Sequence, residues 1–272
     1  MRAQRHMVTL VARLMVREDF PGNGWIWSKR SNLRSVSSSP QNELHNRIQL
    51  FGRRKGKALK IRRRDLLEND LPRLRINLET LKAETDPRGF FTPPVDRVWL
   101  EIGFGGGEHL IEQAKAHPEI GFIGAEVFEN GIASLLQQRT DANLENIRIL
   151  DNDAREFLPL LKTGSVERVF LLYPDPWPKA RHAKRRFVGR QTLDELARIM
   201  PVESELRIAT DHAIYAQWCL RHVPTHPNFQ WRVTRPNDWR SPPEGAFSTR
   251  YEQKAIKHGR TPMYLTFLRV AG

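Results

Sequence analysis

Cysteine is almost absent. Cys219 is the one thiol in 272 residues. An intrachain disulfide is therefore impossible, and a metal centre built on several thiolates is excluded. Such usage fits a reducing compartment, and the expected location is the cytoplasm. Long apolar runs are missing too: no stretch of eighteen apolar residues occurs, so no segment reads as a membrane-spanning helix. Internal repeats are also lacking. Acids are scarce at the start, where residues 1–64 hold sixteen Lys/Arg against Glu18, Asp19 and Glu43.

What is present suits a globular protein. Apolar residues make up 39% and charged residues 28% of the chain, which excludes full disorder, and the length allows one or two domains. The net charge of +13 is carried entirely by residues 1–64. The rest is neutral in sum but polarised: net −2 over 65–100, −7 over 101–175 and +9 over 176–272. A basic arm, an acidic middle and a basic C-terminal part predict an anionic partner outside and a cationic ligand inside.

Residues 1–50 read as a basic, disordered extension. Pro21-Gly22-Asn23-Gly24 and Ser37-Ser38-Ser39-Pro40 are loop chemistry. An organellar targeting segment or an over-extended reading frame are the other readings of this stretch. Residues 51–96 read as a basic arm, with eight Lys/Arg and no acid in 51–64, followed by a lead-in helix within 65–82. Residues 97–272 read as one α/β domain. Strands are expected at Val98–Ile102, Gly121–Glu126, Ile147–Leu150, Val166–Tyr173 and Leu206–Thr210, and helices at 107–117, 129–140, 190–200 and 212–222. That alternation predicts right-handed crossovers and a parallel sheet. Segments 229–235 and 263–270 look like an antiparallel pair at the sheet edge.

The first strand runs into Glu101-Ile-Gly103-Phe-Gly105-Gly106-Gly107-Glu108. Glycines here let the backbone turn sharply and approach a ligand, as nucleotide-like groups require. A pyrophosphate would be repelled by Glu101 and Glu108. S-adenosylmethionine, with a sulfonium and an ammonium and no phosphate, suits them. Glu126, at the end of the second strand, is spaced to take ribose hydroxyls. Asp153, after the third strand, could accept from an adenine amino group. The fourth strand ends in Tyr173-Pro174-Asp175-Pro176-Trp177-Pro178-Lys179. Prolines stiffen that loop, Trp177 offers a stacking face and Asp175 an acceptor. Lys179, Arg181, Lys184, Arg185, Arg186 and Arg190 follow without an acid, a pattern that would hold nucleic-acid phosphates.

Leu-Glu-Ile-Gly-Phe-Gly, the Tyr-Pro-Asp-Pro-Trp-Pro-Lys-Ala-Arg-His-Ala-Lys-Arg-Arg run, Ala-Thr-Asp211 and Thr249-Arg250-Tyr251-Glu252 together resemble the tRNA (guanine-N7-)-methyltransferase family, over about residues 50–270. Phe51–Lys57 also resembles that family's N-terminal segment. The resemblance implies a class I methyltransferase (Rossmann-like) fold: a mostly parallel seven-stranded sheet, its last strand antiparallel, with helices on both faces. It implies methyl transfer from S-adenosylmethionine to N7 of guanine 46 in the tRNA variable loop. By the same resemblance Glu101, Glu126, Asp153 and Asp175 are cofactor-side acids beside Gly103 and Gly105. Asp175 is the active-site residue, and Lys179, Asp211, Thr249, Arg250, Tyr251 and Glu252 bind substrate. Tyr173 and His212 depart from the family pattern, where Phe and an aromatic are common. The expected partner is tRNA, with no metal and no membrane, and the chain is a monomer or homodimer.

Three other readings compete. A nicotinamide-dependent oxidoreductase shares the strand–glycine–helix start but not Glu108. Methyltransferases of exocyclic amino groups use an acid-Pro-Pro-aromatic loop, whereas Asp175-Pro176-Trp177 has a single proline before the aromatic. A non-catalytic RNA-binding module would have no use for acids at all four cofactor positions.

Overall fold

The computed structural model describes residues 54–272, so the expected extension over 1–50 and residues 51–53 of the arm lie outside the described residues. Five strands, β1 (Arg97–Ile102), β2 (Ile120–Ala125), β3 (Ile147–Leu150), β4 (Arg168–Leu172) and β5 (Glu205–Thr210), pair in parallel. Then β6 (Phe229–Trp231) and β7 (Met263–Arg269) complete a seven-stranded sheet in the order β3-β2-β1-β4-β5-β7-β6. β7 inserts between β5 and β6 and is antiparallel to both.

The parallel strands are buried on both faces: Val98, Leu100, Ile120, Ile123, Ile147, Ile149 and Val169 are fully enclosed. This is why they appear in the sequence as continuous apolar runs rather than alternating ones. Helices α3 (Glu108–Ala116), α4 (Glu129–Asp141), α6 (Arg190–Ile199) and α7 (Ala213–His222) lie within a residue or two of their expected spans. Ahead of the sheet, α1 (Ile61–Asn69) starts inside the basic run. It is followed by the single turn α2 (Leu71–Leu74), with Leu66, Leu71 and Leu74 buried. Arg62 pairs with Asp141 at 2.6 Å and Arg63 donates to Gln137 at 2.9 Å, so two arm bases are held by α4. Beyond Asp153 lies the single turn α5 (Ala154–Phe157).

Two segments differ from the periodicity. The strand expected over 229–235 stops at Trp231. Asp238, on the single turn α8 (Asn237–Arg240), accepts from the backbone N–H groups of Thr234 and Arg235 at 2.7 and 2.9 Å, which bends the chain out of the sheet. Helix α9 (Arg250–Lys257) was not foreseen from periodicity. Its signal was the Thr249-x-x-Glu252 spacing of a helix start. The Thr249 hydroxyl accepts from the Glu252 backbone N–H at 3.1 Å. Among the described residues no helix is long and apolar enough to cross a membrane.

Candidate functional site

The strand order reverses beside β1: the chain winds to β2 and β3 on one side and to β4 and β5 on the other. Loops leaving β1 and β4 diverge there and open a crevice beyond their carboxyl ends. A cleft of about 370 Å³ fills that place, bordered by Gly103, Gly105, Glu126, Asp175, Trp177 and Tyr251 among others.

The glycine turn and Glu126 are locked together. Gly103 donates to the Ala125 carbonyl at 2.7 Å, and Gly105 donates to Glu126 Oε2 at 2.8 Å. Glu126 Oε1 accepts from Val127 and Phe128 N–H at 2.7 and 3.0 Å. Burial raises this carboxyl above its ordinary value, the three backbone bonds oppose the shift, and the charge of Asp175 adds to it. Gly105 has φ +58°, and a Cβ on it would lie 2.7 Å from the ring of Tyr251. Tyr251 therefore roofs the turn from α9.

Across the cleft, β4 ends in the proline loop. Tyr173 and Trp177 both take left-handed backbone angles, φ +50° and +40°. Asp175 is exposed at the cleft mouth. Arg185 lies over the Trp177 ring at 4.8 Å, and His182 meets that ring edge-on. Lys179, just ahead of the 3₁₀ segment Ala180–Arg185, and Arg181 and Lys184 within it are exposed.

A family model described as "Putative methyltransferase" matches residues 96–265. Over 221 residues the chain is 49% identical to the tRNA (guanine-N(7)-)-methyltransferase of Rhodospirillum rubrum, covering 80% of this chain and 87% of that one. It is 48% identical over 222 residues to the protein of the same name from Roseobacter denitrificans, covering 80% and 95%. The chain belongs to the tRNA (guanine-N7-)-methyltransferase family. Its fold is similar to that of the 16S rRNA methyltransferase KamB, with a TM-score of 0.51 at 14% identity, covering 72% of this chain and 99% of that one. At that identity the likeness shows the class I methyltransferase architecture alone.

For a member of this family, the residues singled out in the sequence divide in two. Gly103, Gly105, Glu126, Asp153, Asp175 and Tyr251 border the cleft. Arg185 borders it too, Lys179, Arg181 and Lys184 are exposed beside its mouth, and the rest are engaged elsewhere. Glu101 is buried, and its Oε2 bonds His109 Nδ1 at 2.8 Å. Glu108 is paired with Arg250. Glu101 and Glu108 each have a close partner and so do not stand free to repel a pyrophosphate, as their place in the sequence suggests; Glu126, Asp153 and Asp175 are the carboxylates that border the cleft. Asp153 caps α5, and Arg155 pairs with it at 2.5 Å. Asp211 pairs with Arg260 at 2.9 Å, Thr249 caps α9, and Glu252 is buried, accepting from the Tyr264 hydroxyl at 2.7 Å. Among the basic run, Arg186 is a correction. It was expected on phosphate, but it is only 8% exposed, with its guanidinium turned inward. Arg190 pairs with Asp194 at 3.0 Å.

Sequence reasoning missed His109 and the Arg250–Glu108 contact. His109 is the second residue of α3 and buried against Phe170, with ring centroids 4.7 Å apart. No motif announces it.

Proposed function

We propose that the chain transfers a methyl group from S-adenosylmethionine to N7 of guanine 46 in the variable loop of tRNA. The observation that carries this reading is the pairing of two features on one cleft: a glycine turn locked to Glu126 on one wall, and Asp175 with Trp177 on the other. Family membership supplies the reaction class.

The residues present fit the cofactor. Gly103 and Gly105 border the cleft without side chains, with open space where a Gly103 side chain would stand, and Glu126 presents a carboxylate at the end of β2, where ribose hydroxyls of such ligands are taken. Gly103, Gly105 and Glu126 would hold it, with Asp153 and Tyr251 bordering the same space. When bound, S-adenosylmethionine supplies an electrophilic methyl on a cationic sulfur. The carboxylates of Glu126 and Asp175 suit that charge; a third, Asp153, borders the same space and is paired with Arg155.

Guanine N7 carries an in-plane lone pair and no proton, so no side chain has to remove one. The task left to the protein is alignment, which can supply ~7–11 kcal/mol of the barrier. Trp177 offers its face to the base, and Asp175 accepts from the guanine N1–H and amino group. The ring gains positive charge as the bond forms, and the Asp175 carboxylate stabilises it. Lys179, Arg181 and Lys184, exposed beside the mouth, contact backbone phosphates and position the tRNA without reading its sequence.

The test uses the full chain, methyl-labelled S-adenosylmethionine and an unmodified tRNA transcript, with the methylated nucleotide mapped. N7-methylguanosine in the variable loop is expected. N6-methyladenosine, or label at another guanine, overturns the substrate assignment.

A further inference from the structure

Within the run 179–190 one base is buried. Arg186 is buried, and its guanidinium donates to two consecutive carbonyls of the catalytic loop: Nε to Pro176 O at 3.1 Å and Nη2 to Trp177 O at 2.9 Å. Its flat face lies 4.4 Å from the Trp218 ring on α7. Trp218 is itself fixed, donating from Nε1 to Val188 O at 2.7 Å and stacking on His222 at 3.8 Å.

The loop needs such a partner. Pro174, Pro176 and Pro178 have no N–H, so the segment cannot satisfy its own carbonyls by a local turn ladder. Trp177 also holds a left-handed φ of +40°, which a bulky residue keeps only where its surroundings over-determine it. A guanidinium provides two donors in a rigid fork matched to two adjacent acceptors. A lysine ammonium offers a single point charge. Burial lowers the Arg186 pKa from its ordinary value, though not enough to deprotonate such a group.

We infer that Arg186 is a positioning residue for catalysis: by clamping the Pro176 and Trp177 carbonyls against Trp218, it sets the direction of Asp175 and the Trp177 face toward the substrate base. This rests on the proposed roles of Asp175 and Trp177. It removes Arg186 from the set of tRNA phosphate contacts.

The experiment compares the full chain with Arg186→Lys and Arg186→Gln. Turnover is normalised to cofactor-binding sites, and tRNA affinity is measured across a salt series. A clamp predicts that kcat per cofactor site falls at least tenfold in Arg186→Gln and less in Arg186→Lys. tRNA Kd stays within threefold, and the slope of log affinity on log salt is unchanged. Methylguanidinium at tens of millimolar, against an equal concentration of sodium chloride, restores part of the turnover of Arg186→Gln. A phosphate contact predicts instead weaker tRNA binding and a salt slope reduced by about one, and that result overturns the inference. So does unchanged kcat, or loss of cofactor binding and thermal stability in both variants, which would make Arg186 a folding residue only. Wild-type protein without tRNA methylation overturns the reading of Asp175 and this inference together, whereas active wild type with unaffected variants overturns this inference alone.

Discussion

Replacing Gly105 by alanine separates two costs that the structure predicts at the glycine turn. The first is backbone strain: an L-residue at φ +58° costs ~1–2 kcal/mol. The second is steric. The new Cβ would lie 2.7 Å from Tyr251 Cε2 and 3.1 Å from its hydroxyl oxygen, well inside normal contact, so the ring must move by several tenths of an ångström. Overpacking of this kind costs ~1–2 kcal/mol where the neighbour is half-exposed and can give way. The sum is ~3 kcal/mol, which lowers Tm by roughly 6–12 °C for a domain of this size. In a Tyr251→Ala background the steric part vanishes, and Gly105→Ala should cost only about half as much. Denaturant titration of the four proteins in the cycle gives the coupling directly, and calorimetric binding of S-adenosylmethionine reports the cleft. Equal costs of Gly105→Ala in both backgrounds would show that α9 does not roof the turn. No cost in either would show that the turn is not left-handed.

Further outcomes follow from the same geometry. Asp175→Ala should lower kcat about 100-fold, the scale of one preorganised electrostatic contact, with cofactor affinity little changed; saturating-cofactor turnover of the Ala and Asn variants checks this, and unaffected turnover in both refutes the role. Because burial raises the folded-state pKa of Glu126, the native state binds that proton more tightly than the unfolded chain. Its contribution to stability therefore declines as pH rises from the ordinary carboxylate range through the raised value. Glu126→Gln should accordingly remove this pH dependence of Tm, while its amide nitrogen opposes at least one backbone N–H that the carboxylate accepts and cofactor affinity drops about tenfold; an unchanged pH dependence of Tm contradicts this. Cys219 is fully buried and burial pushes its thiol pKa up, so a disulfide thiol reagent should leave the native protein unmodified and react only on unfolding, as absorbance at the released thiolate will show.

The β-sheet was legible because its physics is local. Strands buried on both faces must be apolar throughout, and the helices between them must be amphipathic, so periodicity alone located β1 to β5 and the four long helices. The glycine turn was legible for a similar reason, as a cluster of residues without side chains immediately after a buried strand. Helix α9 is not found by periodicity, because its eight residues are mostly exposed and too few to establish a period; only the Thr249-to-Glu252 spacing marks its start. The strand expected over 229–235 is shorter in the structure because a side chain seven residues beyond its end at Trp231, Asp238, turns the backbone away.

Carboxylates and bases were identified correctly as types but could not be assigned partners. A sequence states that Glu101, Glu108 and Glu126 are near the glycine turn along the chain. It does not state that His109 closes on the first and Arg250, 142 residues away, on the second, while the third remains on the cleft. In the same way Arg181, Lys184 and Arg186 are equivalent letters in a basic run. The 3₁₀ turn leaves the first two exposed and directs the third inward onto Pro176 and Trp177.

The sequence by itself determined the order of strands and helices, the glycine turn, the stiff Pro-Asp-Pro-Trp loop and the family. These rest on the period of burial and on backbone chemistry that each residue carries with it. Tertiary structure decided which charges are spent and which are available. Ion pairing and burial depend on groups brought together from distant parts of the chain, and the electrostatic character of each side chain follows from that company.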